Sequence, residues 1–130
     1  MGLATFCVSL AMAQTKQIKM LPVRPTMAQT GAEFFNEFCA VCHGPDGKGG
    51  GPAASALKAK PTDLTQIKRQ HSNKFPTIDV RTSITSGAVA AHGTSEMPMW
   101  GDTFKSISAN QSAAEIRINN IVSYIEKMQQ

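Results

Sequence analysis

Aromatic residues are scarce in this chain: six Phe, one Tyr and one Trp among 130 residues. A chain of this length makes one small domain with a modest core, so a large bound cofactor would fill much of what the missing rings leave. Runs of Lys and Arg are absent as well. The basic residues are scattered from Lys16 to Lys127 and the formal net charge is only +4, which argues against a nucleic-acid patch. A mildly basic surface (sequence pI about 9.2) suits docking to an acidic protein partner and equally suits solubility alone. No apolar run is long enough to cross a bilayer: residues 3–13 are apolar and uncharged, but a helical span needs about 20 residues. Strand-type alternation, an internal repeat and a second domain are also missing. Residues 44–52 hold five Gly and two Pro and form a tight loop rather than a regular element. That loop lacks the G-x-x-x-x-G-K-[ST] order and follows no strand, so it is a poor phosphate cradle.

Cysteine is limited to three positions, and two of them fall in Cys39-Ala40-Val41-Cys42-His43. This is C-x-x-C-H, the attachment pattern for a c-type haem. Two thiols three residues apart on one helical turn can reach the two vinyl groups of one porphyrin, and the next residue can place an imidazole nitrogen on the iron. The rival is zinc, which needs a fourth ligand beyond Cys39, Cys42 and His43; His71 or His92 could supply it. The third cysteine, Cys7, lies in the apolar N-terminal stretch. That stretch ends in Ala11-Met12-Ala13, an A-x-A cleavage pattern, so residues 1–13 are expected to be a signal peptide, truncated at its basic end. Residues 14–29, with Pro22 and Pro25, read as an extended leader, and residues 30–130 as the domain.

Within the domain, Thr30-Gly31-Ala32-Glu33 has the form of a capping box and predicts a helix from Gly31 to about Cys39 with Phe34, Phe35 and Phe38 on its apolar face. Short helices are expected over residues 53–60 and 64–69. A better one spans residues 77–86, where Val80 and Ile84 share a face and Gly87 follows as the stop. Residues 88–101 read as irregular. Ser112-Ala113-Ala114-Glu115 is a second candidate capping box, opening a last helix to about Met128 with Ala114, Ile118, Ile121, Ile125 and Met128 in one stripe and Tyr124 beside it. The fold class is therefore all-α, with about four to five short helices.

A haem iron held only by His43 keeps one position open. A methionine sulfur from a later loop would close it and raise the reduction potential, because a thioether favours Fe(II). Met97 is the candidate: Pro98 stiffens its loop and biases Met97 to an extended backbone. Met99 and His92 are alternatives, and gap-filling core methionine is the plain one. His71 reads as a solvated loop residue.

These features together resemble the class I monohaem c-type cytochromes, over about residues 30–128. Gly31 and Phe35 stand eight and four residues before Cys39, at the family's positions for an N-terminal helix crossing the C-terminal one; Ile121 and Tyr124 match the other side of that crossing. Met97-Pro98-Met99-Trp100-Gly101 looks like the axial-methionine loop of a bacterial subgroup. The resemblance implies a small cytochrome c fold, one covalent haem c with Cys39, Cys42, His43 and Met97 as cofactor-binding residues, and His43 and Met97 as axial iron ligands. It also implies that the Pro52 carbonyl accepts from His43 Nδ1–H, with Trp100, Gly31, Phe35 and Tyr124 in support. The implied activity is one-electron transfer in the bacterial periplasm, without catalysis, between redox protein partners that present an acidic docking surface. Lys48, Lys58, Lys60, Lys68, Arg69 and Lys74 could surround the haem edge. No nucleic acid and no transmembrane segment in the mature chain are expected. A subunit of a larger respiratory or dehydrogenase complex, and a peroxidase-type enzyme with an open distal face, are the alternatives.

Overall fold

The computed structural model of the protein describes residues 30–86 and 97–130. The signal-like segment 1–13, the leader 14–29, the expected helix stop at Gly87 and His92 lie outside the described residues. All regular structure among them is helical, in agreement with the expected class.

The N-terminal helix starts at the expected capping box. Glu33 N–H donates to Thr30 Oγ1 at 3.2 Å, and Thr30 N–H donates to the Glu33 carboxylate at 2.8 Å, so two orphan donors of the first turn are satisfied reciprocally. The helix is longer than the pattern predicts. It runs through α1 (Gly31–Phe34), a π-helical turn (Phe35–Cys39) and α2 (Ala40–His43) without a break. The Ala40 N–H bonds to the Phe35 carbonyl, an i→i+5 link. In a regular α-helix residues 35 and 40 would diverge by about 140°. The π turn stacks them, and Phe34, Phe35, Phe38, Cys39 and Ala40 are all buried. The extra residue thus brings Ala40 onto the core face beside Cys39, which at four residues from Phe35 would face the core in either helix type.

Beyond Gly44 the chain is mostly turns. The helix expected over residues 53–60 is reduced to one 3-10 turn, Ala54–Ala56, after which Leu57 is extended; Leu57, Ala59 and Pro61 line a cavity instead. A 3-10 turn at Leu64–Gln66 leads into α3 (Ile67–Gln70). Helix α4 (Thr77–Ser86) has the expected bounds and buries Val80, Ser83 and Ile84. Helix α5 (Trp100–Ser106) begins at the end of residues 88–101, which read as irregular, and runs on through residues to which the sequence assigns no element. It is seven residues long and buries only Gly101 and Phe104, too few for a helical period to show. The final helix α6 (Gln111–Lys127) is capped by Asn110, whose side chain accepts from Ala113 N–H at 2.9 Å. The expected Ser112–Glu115 capping box does not form. Asn caps as well as Ser, and Glu115 instead pairs with Arg81 of α4.

The core is the apolar stripe of α6 meeting the N-terminal helix. Ala114, Ile118, Ile121 and Ile125 are at most 3% exposed. Where α1 crosses α6, a Cβ on Gly31 would overlap the Asn120 carbonyl and come 3.0 Å from Tyr124 Cβ. One turn on, the Phe35 and Tyr124 rings lie 5.3 Å apart. A second aromatic group joins the helix to α5: Phe38 meets Phe104 edge-on at 5.3 Å and Trp100 at 5.4 Å. The chain end is tied back as well, through Gln129 Nε2 to the Leu64 carbonyl at 2.7 Å and Gln130 N–H to the Thr65 carbonyl at 3.0 Å. No helix among the described residues is long and apolar enough to cross a membrane.

The crossing predicts its own weak point. Gly31→Ala is expected to lower unfolding stability by about 1–3 kcal/mol, because the neighbour it meets is backbone and cannot rotate away. A denaturant titration of the two proteins checks this; equal midpoints would show that the helices can part at no cost.

Candidate functional site

Cys39, Cys42 and His43 occupy the last turn and a half of the N-terminal helix, and Met97 sits just before α5. The structure brings all four to one apolar slot. A cavity of about 250 Å³ is lined by Cys39, Cys42 and His43 together with Met97, Pro98 and Trp100. A smaller cavity of about 60 Å³ is also lined by Cys39, His43 and Met97, with Ile84 and Ile125 among its apolar walls. Met99 lines neither cavity and is 61% exposed. Val41, 44% exposed, and the exposed Lys60 stand at the mouth.

Electrostatics leave the site uncharged. Both motif cysteines are free thiols. Burial pushes the Cys39 thiol up to about 12, with the neighbouring Cys42 adding to the effect, and burial also raises Cys42. His43 is lowered from its ordinary value, first by burial, while its hydrogen bond to Thr62 opposes that. The imidazole is therefore neutral. Its Nδ1 lies 3.0 Å from the Thr62 carbonyl; a carbonyl can only accept, so Nδ1 carries the hydrogen and Nε2 keeps the lone pair. That is the tautomer a metal-binding imidazole needs.

The acceptor differs from the one the resemblance implies. Thr62, not Pro52, takes the His43 Nδ1–H. Pro52 is exposed, and the loop around it serves another purpose. Gly51 N–H donates to the Cys42 carbonyl at 3.0 Å, Ala53 N–H to Val41 at 2.8 Å and Gly49 N–H to His43 at 2.7 Å. These bonds satisfy the last carbonyls of the motif helix, which would otherwise be orphaned. A Cβ on Gly51 would sit 2.5 Å from the Ala40 and Val41 carbonyl oxygens, so the close approach needs glycine.

Trp100 opens α5 against the slot, stacked on Phe104 at 5.9 Å with the ring planes 25° apart. Phe35 and Tyr124 hold the helix crossing and do not line either cavity. His71 lies in the turn after α3 and is half-buried rather than fully solvated: its Nδ1 lies 2.9 Å from the Ile67 carbonyl, closing the end of that helix. The six basic residues from Lys48 to Lys74 are all exposed. Sequence reasoning missed Thr62 and the turn behind it, where Asp63 Oδ1 accepts from Thr65 N–H at 2.9 Å and Thr65 Oγ1–H at 2.6 Å. The Asp-x-Thr pattern after Pro61 is the one signal that could have pointed there.

A protein-family model described as "Cytochrome c" matches residues 28–129. No curated protein and no solved structure matches the chain.

Asp63 is held below its ordinary carboxyl value of 3.8, chiefly by the Thr65 hydroxyl, with the Thr65 N–H, Lys48 and Lys60 adding to it and burial opposing. A depressed carboxyl contributes stability that is complete above its unfolded value and is lost as pH falls through the lower folded one. Asp63→Asn is therefore expected to be less stable than the parent at pH 7, with the difference closing below about pH 4. Paired thermal melts across that range test it; a gap that stays constant would show that the Asp63 charge is not involved.

Proposed function

The chain belongs to the cytochrome c family, whose members carry haem c covalently, and from that premise we propose that it is a periplasmic one-electron carrier with His43 and Met97 as axial ligands. The observation that supports the ligand pair is that Cys39, Cys42, His43 and Met97 line one apolar slot, whereas Met99 points elsewhere. The slot fits the group on its own chemistry: two free thiols on one helix turn, a neutral imidazole with Nε2 unprotonated, and a thioether in the same lining. Haem c supplies a single electron exchanged between Fe(III) and Fe(II).

The chain's residues do the rest. Cys39 and Cys42 tether the group through thioether links. His43 is aimed by Thr62. Pro98 and the Trp100–Phe104 stack hold Met97 near its position, so few atoms need to move when the charge changes. Ile84 and Ile125 keep water from the inner face, and an apolar surround destabilises the more positive oxidised state. Val41 and Lys60 mark where an edge of the group would reach solvent. The exposed basic residues between Lys48 and Lys74 would steer an acidic redox partner to that side, with rates that fall as salt rises. The A-x-A pattern at Ala11–Ala13 supports export to the compartment where c-type haems are attached.

Met97→Ala is expected to lower the reduction potential, within the roughly 0.8 V range that axial ligands command. It should also remove the sulfur-to-iron charge-transfer band and let the reduced protein bind carbon monoxide. Met99→Ala should change none of these. Potentiometry and absorption spectra of the two variants decide between them; an unaltered potential and band in Met97→Ala would remove Met97 from the site.

A further inference from the structure

Resting on the ligation proposed above, we infer that residues 62–65 form a positioning strap for His43, and that Thr65 and Gln129 fix the direction and strength of its hydrogen bond. The Thr62 carbonyl is the acceptor of His43 Nδ1–H. A carbonyl points where its backbone points, and the backbone that follows is tied at both the N–H and the carbonyl of Leu64 and of Thr65. Asp63 Oδ1 takes both the N–H and the hydroxyl of Thr65. Leu64 N–H donates to the Gly47 carbonyl at 2.7 Å, which anchors the strap to the glycine loop under the motif helix. The Leu64 carbonyl accepts from Gln129 Nε2 at 2.7 Å, and the Thr65 carbonyl from Gln130 N–H at 3.0 Å.

Two side chains stand out in this network. Thr65 is 1% exposed, and its hydroxyl donates to Asp63 while accepting from Gln66 Nε2 at 3.2 Å. Gln129 spans three segments: Nε2 also donates to the Ile125 carbonyl at 2.8 Å, and Oε1 accepts from Lys68 N–H at 2.8 Å. It locks the end of α6 to the strap and to the start of α3. A buried hydroxyl and a tail glutamine thus hold a carbonyl that neither of them touches. The physical consequence falls on the imidazole. A well-aimed acceptor on Nδ1–H makes Nε2 a stronger donor, which favours Fe(III). Loosening the strap weakens that bond, speeds exchange of the Nδ1 hydrogen and makes the potential more positive.

The test uses the haem-loaded protein and four variants: Thr65→Val, Gln129→Ala, Thr65→Ser as the rescue, and Ile118→Val as a core control. Ile118 is 2% exposed and lines neither cavity, so its loss of stability leaves the strap untouched. Solvent exchange of the His43 Nδ1–H by NMR and the reduction potential are read for each. Thr65→Val and Gln129→Ala are expected to exchange at least about fivefold faster, the factor equivalent to one ordinary hydrogen bond, with a more positive potential. Thr65→Ser should match the parent and Ile118→Val should leave both readouts in place. Unchanged exchange and potential in Thr65→Val and Gln129→Ala would overturn the strap, and so would an equal change in the core control. Should Thr65→Val fail to fold, Gln129→Ala decides alone. A parent protein that carries no haem, or carries it without His43 on the iron, removes the ligation and the strap together; silent variants of a His43-ligated protein remove the strap only.

Discussion

The close approach of the N-terminal helix to α6 governs where everything else can go. Gly31 meets the Asn120 carbonyl with no room for a side chain, and Phe35 seats on Tyr124 one turn later. With the axis fixed there, the only freedom left to the helix is its rotation. The π turn adds one residue between Phe35 and Ala40 and so sets the rotation of the last turn, which carries Cys42 and His43. Cys39 is buried among the core side chains and Cys42 is partly exposed, so the two thiols reach the slot from different depths. Dispersion and burial thus act at one end of the helix to place chemistry at the other, about two turns away.

The slot is a gap in the core that polar atoms barely enter. Its floor and walls are Ile84, Ile125, Leu57 and Trp100 with the motif residues, and the charged groups nearby stay at the surface. A domain with eight aromatic residues has little else with which to fill such a gap, and a porphyrin supplies in one piece the apolar area that the chain lacks. Burial also explains why the site is uncharged before any group is attached: it disfavours both thiolate and imidazolium. The two thiols and the imidazole are thereby kept in the neutral forms that the proposed thioether links and nitrogen ligand require.

The elements with strong local signals were legible in the sequence. The Thr30–Glu33 capping box, the four-residue spacing of Val80 and Ile84, and the stripe of α6 each depend on contacts within one helix. The C-x-x-C-H motif was legible for the same reason, since its chemistry is local. What the sequence concealed depends on contacts between distant segments. The π turn follows from packing against α6, α5 carries too few apolar positions to show a period, and Asn110 displaced Ser112 as a cap because Glu115 is drawn to Arg81 on α4. The acceptor for His43 was concealed in the same way. The Gly51-Pro52 pair stands where the resemblance puts it, but the loop turns inward to close the helix carbonyls, and a carbonyl ten residues further on faces the imidazole.

The two sides of the slot are held by different forces. On the His43 side the Thr62 carbonyl and both backbone groups of Leu64 and Thr65 are hydrogen-bonded, and such bonds are directional to within a few tens of degrees. On the Met97 side the support is ring packing: Trp100 on Phe104, Phe38 against both, and Arg117 over the Phe34 ring at 5.2 Å while its Nη1 ties down the Ile107 carbonyl at 2.9 Å. Packing fixes distance well and direction poorly. The division suits the two proposed ligands. An imidazole binds through one lone pair in the ring plane and tunes its donor strength through the hydrogen bond behind it, so it needs aim. A thioether is soft, rotates about three single bonds and carries no second polar group, so it needs only to be kept near and dry. Direction is therefore supplied by the strap and proximity by the aromatic cluster, and each side of the slot is built from the interaction that its residue can use.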